Sequence, residues 1–210
     1  MALAHDQELE LPLRALAPPG IIVGHRLISV GDEHALLPEE ASAFEHSAVR
    51  VRRSSGAARI VARDLLLRLG HQVTALPKSP RGPPIWPKGI LGSLAHDSRV
   101  AVAAVGTSEN LEGLGIDVEP AEILPADLLH LVTTPQERAR IASDPYRGRL
   151  FFVAKEAAYK AIYPLDQEFL DHHDIEVDLA NQQATVRNGR VAKLRFCIST
   201  HLVALAFLPS

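Results

Sequence analysis

Gly115-Ile116-Asp117-Val118-Glu119-Pro120, and Phe151-Phe152-Val153-Ala154-Lys155-Glu156-Ala157-Ala158-Tyr159-Lys160 about thirty residues on, are the two segments around which the chain is organised. The first alternates as a strand does. Leu114, Ile116 and Val118 point one way, while Asp117 and Glu119 point the other. The second reads as a helix, in which Glu156 and Lys160 stand one turn apart on one face and Lys155 points elsewhere. Three carboxylates, two from the strand and one from the helix, can therefore converge.

Outward from these segments, the helix is expected to span about Arg149 to Ile162 and to stop before Pro164, because proline disfavours helix in its predecessor. Beyond it the chain reads as strands over 175–179, 184–187, 190–198 and 201–208, with a hairpin turn at Asn188-Gly189. Upstream of it, Pro125–Leu131 and Pro135–Ile141 read as helical pieces, the second capped by Thr134, and the run from Ser143 to Gly148 breaks the pattern. Arg99–Val105 is a near-continuous apolar strand, and residues 77–92 are too rich in proline and glycine to be other than a loop, which carries Trp86.

A long helix is expected from about Arg50 to Leu69, with Ala58, Val61, Ala62, Leu65, Leu66 and Leu69 as its buried stripe. Arg52, Arg59 and Arg63 fall within roughly 40° of one another on it. They form either a solvated basic face or a phosphate-gripping ridge. Pro38-Glu39-Glu40 opens a short helix, Gly20–Val30 suggests a strand or hairpin arm, and residues 1–19 read as a loose lead-in. Each half offers helix and sheet of similar size, with a soft boundary at Gly106-Thr107-Ser108, so the domains expected are 1–106 and 107–210.

With 210 residues, 47% of them hydrophobic, the chain is long enough and apolar enough for a packed core. A net charge of −3 gives no bulk attraction for nucleic acid or an anionic membrane, so an anion must be captured by a local cluster. Neither partner is expected. The single cysteine, Cys197, excludes an internal disulfide, sits in a strand-like apolar run and suits a reducing cytoplasm. Residues 1–6 lack the basic and apolar regions of a secretion signal, and no run reaches the roughly 18 apolar residues of a spanning helix. A cytoplasmic location is expected. Of the 22 basic residues only Lys78, Lys88, Lys155, Lys160 and Lys193 are lysine, and the arginine excess favours forked phosphate contacts.

Two carboxylates at i and i+2 on a strand, with a third from a helix, make an open, oxygen-rich site of the kind that holds Mg²⁺ and leaves positions to water and phosphates. A Ser93–His96–Asp97 triad is dismissed because neighbours on an extended segment point oppositely, and the adjacent His172-His173 pair fails as a chelate for the same reason.

Gly-Ile-Asp-Val-Glu followed by the Lys-Glu-Ala-Ala-Tyr-Lys helix closely resembles the signature of the 4′-phosphopantetheinyl transferases. The likeness is to the single-chain type associated with surfactin and enterobactin synthases. Trp86-Pro87 and Gly89–His96 resemble a further motif of that group, and the similarity runs from about Pro38 to Leu208. Phe152 stands where many relatives have tryptophan, and the spacing from Arg81 to Trp86 is one residue longer than usual.

The resemblance implies an α+β fold of two similar halves related by pseudo-twofold symmetry, with coenzyme A in the cleft between them. It implies that Asp117, Glu119 and Glu156 hold Mg²⁺ on the pyrophosphate of coenzyme A. Arg52 or Arg53, with Arg59, would bind the 3′-phosphate end, with Arg81, Ser93, His96 and Lys160 as further cofactor contacts. The implied reaction moves the phosphopantetheine arm to a serine of an apo acyl or peptidyl carrier protein, in secondary-metabolite or siderophore biosynthesis. Glu156 is then the favoured base, with a water on the metal as the alternative, and Lys160 assists. The carrier would dock on residues 121–149, where Arg138, Arg140, Arg147 and Arg149 lie. A cleft within one chain makes a monomer sufficient. Two other readings remain: a non-catalytic coenzyme A or nucleotide-binding module, and a metal-dependent phosphodiesterase that acts on the holo-carrier.

Overall fold

The computed structural model describes residues 5–141 and 144–210. The first four residues of the expected lead-in, and Ser143 at the start of the expected break, lie outside them. The elements run α1 (Gln7–Leu16), β1 (Ile21–Leu27), α2 (Pro38–Ala41), α3 (Val49–Arg68), β2 (Ile90–His96), β3 (Val100–Thr107) and β4 (Leu111–Pro120). They continue with α4 (Ala126–Val132), α5 (Pro135–Ala139), α6 (Arg147–Asp166), β5 (Ile175–Asp178), β6 (Gln183–Val186), β7 (Val191–Ile198) and β8 (His201–Pro209).

Two antiparallel sheets form the frame of this α+β fold, one ordered β1-β3-β2 and the other β4-β8-β7-β6-β5. Period-two alternation on β3 and β8 sets the layers. Val100, Val102 and Ala104 of β3 meet Val203, Leu205 and Phe207 of β8, together with Leu114, Ile116 and Val118 of β4, in a core shared by both sheets. The opposite faces carry a long helix each. Val61, Ala62, Leu65 and Leu66 of α3 pack on Ala103 and Val105, and Ala154, Ala157, Ala158 and Ala161 of α6 pack on Leu202, Ala204, Ala206 and Leu208. Buried on both faces, β3 and β8 are therefore almost wholly apolar.

The sheets join at their edges. Ser93 Oγ on β2 accepts the Ile116 N–H of β4 at 3.0 Å, so a hydroxyl stands where a ladder bond would be.

Residues 7–16 are a helix and not a loose lead-in. Asp6 caps it, accepting from the backbone N–H groups of Glu8 and Leu9 at 3.1 and 3.2 Å, and Leu9, Leu13 and Leu16 fill the shared core. Likewise α6 does not stop before Pro164: it continues to Asp166 and ends on Gln167 in the left-handed region, φ 56°. The expected stripe of α3 is buried except for Leu69, which is its C-cap. β1 ends at Leu27, short of Val30, and β2 starts at Ile90, inside the expected loop. The hairpin at Asn188-Gly189 forms between β6 and β7, with Gly189 at φ 87°. Cys197 on β7 packs half-buried against the shared core, and burial pushes its thiol up to about 11. Among the described residues no helix is long and apolar enough to cross a membrane.

Candidate active site

The face of β4 turned toward α6 reads Gly113, Gly115, Asp117, Glu119. The two glycines let the helix down onto the strand. A Cβ on Gly113 would lie 2.3 Å from the Ala161 carbonyl oxygen, and one on Gly115 2.0 Å from that of Ala157. Close approach at the glycines brings Lys160 over the carboxylates that follow them on the strand. Lys160 Nζ lies 2.6 Å from Asp117 Oδ1 and also donates to the Ile116 carbonyl at 3.3 Å.

Each of the other two acids has its own cation or imidazole. Arg149 donates to Glu119 at 2.6 Å, and His172 Nε2 is 3.1 Å from Glu156 Oε1. Burial pushes Asp117 up to about 6; Lys160 opposes the shift, and the charges of Glu156 and Glu119 add to it. Glu119 is raised by burial against the pull of Arg149, whereas the His172 hydrogen bond lowers Glu156. The three carboxylates thus sense one another, and their hard oxygen donors suit a divalent cation such as Mg²⁺ in kind. Their oxygens are not gathered to within 4.8 Å of one another, a spacing that among the described residues is met by His5, Glu10 and His25.

Over the seam of β2 and β4 lies a cleft of about 330 Å³ walled by Arg59 and Phe44 from one half, Asp117 and Lys160 from the other, and His96 between. His96 is at its exposed rim; partial loss of water lowers its pKa, and Lys160 lowers it further. An apolar pocket of about 370 Å³ adjoins it, lined by Trp86, Leu91, Tyr159 and Tyr163. A third hollow, about 310 Å³, opens beside Glu156, between Tyr159, Phe169 and His172.

The arginines of α3 divide. Arg59 reaches the cleft wall, although it also donates to the Leu76 and Ser55 carbonyls at 3.0 and 3.3 Å and lies 5.1 Å from the centre of the Phe44 ring. Arg63 is turned onto the buried Glu40 at 2.9 Å and the Ala35 carbonyl at 2.6 Å. The face is therefore not a solvated one; it clamps the 31–48 segment. Arg53 makes a forked pair with Glu33 at 2.8 and 3.1 Å, and Arg52 donates to the Ser47 carbonyl. Arg81 is exposed beside Gly82, on the proline-rich loop that covers the cleft, and the Ser93 hydroxyl is engaged by Ile116.

Lys155 does turn away: with no exposed surface, it pairs with Glu137 at 2.7 Å and donates to the His172 carbonyl. His172 and Arg149 are partners of the acids that the sequence alone does not reveal. The sequence places Arg149 on a docking surface and His172 only in a pair that fails as a chelate, and neither contact has a signature at short sequence range.

Two family models match successive parts of the chain: the 4′-phosphopantetheinyl transferase N-terminal domain over residues 39–106, and the 4′-phosphopantetheinyl transferase superfamily over residues 113–206. The chain belongs to the 4′-phosphopantetheinyl transferase superfamily. Among individual transferases, Npt of Nocardia iowensis is 32% identical over 180 residues, covering 84% of this chain and 81% of that protein. PptT of Mycobacterium tuberculosis is 35% identical over 145 residues, 67% of this chain and 64% of its own length. Svp of Streptomyces mobaraensis is 34% identical over 173 residues, 79% and 70%. This phosphopantetheinyl transferase accordingly uses coenzyme A as co-substrate and a carrier protein as acceptor.

Proposed function

We propose that this transferase acts with Mg²⁺ on carrier proteins of secondary-metabolite or siderophore biosynthesis. Residues 1–106 would make the nucleotide contacts, and residues 107–210 would supply the metal ligands and the docking surface. The observation that carries the reading is that Arg59, His96, Asp117 and Lys160 line one cleft although they come from both halves of the chain.

Asp117, Glu119 and Glu156 are the residues that would hold Mg²⁺. When bound, that ion polarises the phosphoryl group and offsets charge on the leaving oxygen. Arg59 and His96 fix the nucleotide end, and Lys160 is released from Asp117 to meet phosphate charge. The carrier serine oxygen bonds to the phosphorus that bears the pantetheine arm, and the bond from that phosphorus to the bridging oxygen breaks. Adenosine 3′,5′-bisphosphate leaves. Glu156 takes the serine proton, and His172 fixes its carboxylate. Arg52, Arg53, Arg81 and Ser93 would contribute only by exchanging the partners they now hold or by loop closure.

The acceptor would dock on residues 121–149. Ile123, Leu128 and Leu131 are exposed there, and Arg138 and Arg147 remain on the surface while donating to the Thr133 and Arg140 carbonyls. Acidic carrier helices fit such an apolar and basic patch, and a monomer suffices.

The test is incubation with coenzyme A and a panel of apo-carriers, with Mg²⁺ or with a chelator, read by carrier mass. Metal-dependent gain of phosphopantetheine on secondary-metabolite or siderophore carriers is expected. Equal transfer under chelation would remove the metal, and exclusive modification of a fatty-acid carrier would remove the pathway assignment. Binding of coenzyme A without transfer, or release of the arm from a holo-carrier, would point to a binding module or a phosphodiesterase.

A further inference from the structure

Three side chains around the N-terminal end of α1 lie outside the cleft lining and outside the proposed transfer. His5 Nδ1 lies 3.1 Å from Glu10 Oε2, and His25 Nδ1 lies 3.3 Å from the same oxygen. All three candidate ligand atoms fall within 4.8 Å of one another. The imidazole rings stand 5.0 Å apart, edge to face at 67°.

These separations are informative. An ion bound tetrahedrally at about 2.0–2.1 Å holds its ligand atoms roughly 3.3–3.4 Å apart, which is close to the separations of the two histidines from Glu10. Beside the three groups is a cavity of about 10 Å³, bounded also by Arg14, Val61, Asp64 and Arg68, with room for a single ion or water. Asp64 and Arg68 are paired with each other at 2.9 Å.

The groups behind the ligands are arranged to allow metallation. His25 is 1% exposed, and its Nε2 lies 2.9 Å from the Asp6 N–H nitrogen and 3.1 Å from the Asp6 carbonyl oxygen. That residue can serve either tautomer of the ring. With Nδ1 protonated, Nε2 accepts from the amide; with Nδ1 bound to an ion, Nε2–H donates to the carbonyl, as a ligating histidine usually does. Glu10 is oriented from its other oxygen, Oε1, by Arg14 at 2.5 Å.

We propose that His5, Glu10 and His25 form a structural site for a Zn²⁺-class ion, chemically separate from the carboxylates of the cleft. Two imidazoles and one carboxylate favour Zn²⁺, Co²⁺ or Ni²⁺ over Mg²⁺, and the fourth position is left to water. Its effect follows from what it ties together. Glu10 belongs to α1, whose leucines enter the core shared by both sheets, and His25 belongs to β1. Asp6, behind His25, also accepts from Thr200 Oγ1, between β7 and β8, at 2.9 Å. An ion here locks α1 where the two halves meet.

The experiment uses the whole chain, stripped with a chelator, dialysed, and held in excess Mg²⁺ so that the cleft carboxylates are saturated. Zn²⁺ is titrated by calorimetry, and Co²⁺ serves as a spectroscopic probe of nitrogen ligation. One equivalent per chain, a rise in Tm, and visible Co²⁺ bands of a four-coordinate site are expected. His5→Ala, a change at a partly exposed residue, and Glu10→Gln should each weaken Zn²⁺ binding at least roughly tenfold, whereas Asp117→Ala should keep it. Absence of Zn²⁺ binding in excess Mg²⁺, or equal affinity in the wild type, His5→Ala and Glu10→Gln, would overturn the proposal.

Discussion

Gly115 and Ala157 meet backbone to backbone: a side-chain carbon on Gly115 would come within 2.0 Å of the Ala157 carbonyl oxygen and 2.7 Å of the Ala161 nitrogen. No rotamer can relieve a clash with main chain. Gly115→Ala is therefore expected to lift α6 off β4 at a cost of at least about 1–3 kcal/mol, the range for overpacking. Because the helix carries Glu156 and Lys160, turnover should fall with stability. Urea unfolding and a carrier-loading assay on the same sample check both, and wild-type stability in the variant would show that the helix accommodates the methyl group.

Asp117→Ala should reduce turnover by roughly 10²–10³-fold or more while leaving the fold intact, since its side chain faces the cleft and not the apolar core. Carrier mass against time measures the first, and circular dichroism the second. Retained activity at saturating Mg²⁺ would remove Asp117 from the ligand set.

Stability of the chelator-treated protein should depend on Asp117 ionisation. Its pKa rises from an ordinary 3.8 to about 6 in the fold, so between those values the folded chain holds a proton that the unfolded chain has lost. Below this window the group contributes nothing to the pH dependence. As pH rises through it, a penalty accumulates, with a ceiling of about 3 kcal/mol. Urea unfolding of wild type and Asp117→Asn across about pH 4 to pH 7 should show the wild type losing ground to the variant as pH rises. A constant difference would refute this.

Lys155 and Glu137 form an ion pair with no exposed side-chain surface. Glu137 also accepts from the backbone N–H groups of Thr134 and Val177, so α5 and β5 are fastened to α6 through one carboxylate. Lys155→Met alone should cost about 3–5 kcal/mol by leaving a buried charge unpaired, and Glu137→Gln a similar amount. The double variant should cost clearly less than the sum. A double-mutant cycle in urea measures the coupling, and strict additivity would mean that the pair is not the fastening.

Much of the site was legible because its signal is local. The alternation of Gly113 to Glu119 fixes which side chains share a face, and the one-turn spacing of Glu156 and Lys160 does the same for the helix. What escaped was set by distant partners. Glu40 reads in the sequence as a first-turn acid of a short helix; in the fold it is fully buried and receives Arg63, the Leu76 amide and the Leu37 amide. That makes Arg63 part of a clamp, while Arg59 keeps its place on the cleft wall. Pro12 and Pro164 misled in the other direction. Asp6 with the Leu9, Leu13 and Leu16 stripe carried a helix signal around Pro12, and tertiary packing of α1 and α6 outweighed the local penalty of both prolines.

Cys197 has one more use. With its thiol held near about 11, only roughly one molecule in ten thousand exposes a thiolate at neutral pH, so the native cysteine is a slow target for maleimides. A cysteine introduced at Ile123, 66% exposed on the segment assigned to docking, would react far sooner. The natural chain therefore offers a nearly dark background on which one dye can report the arrival of a carrier protein, without first engineering the resident sulfur away.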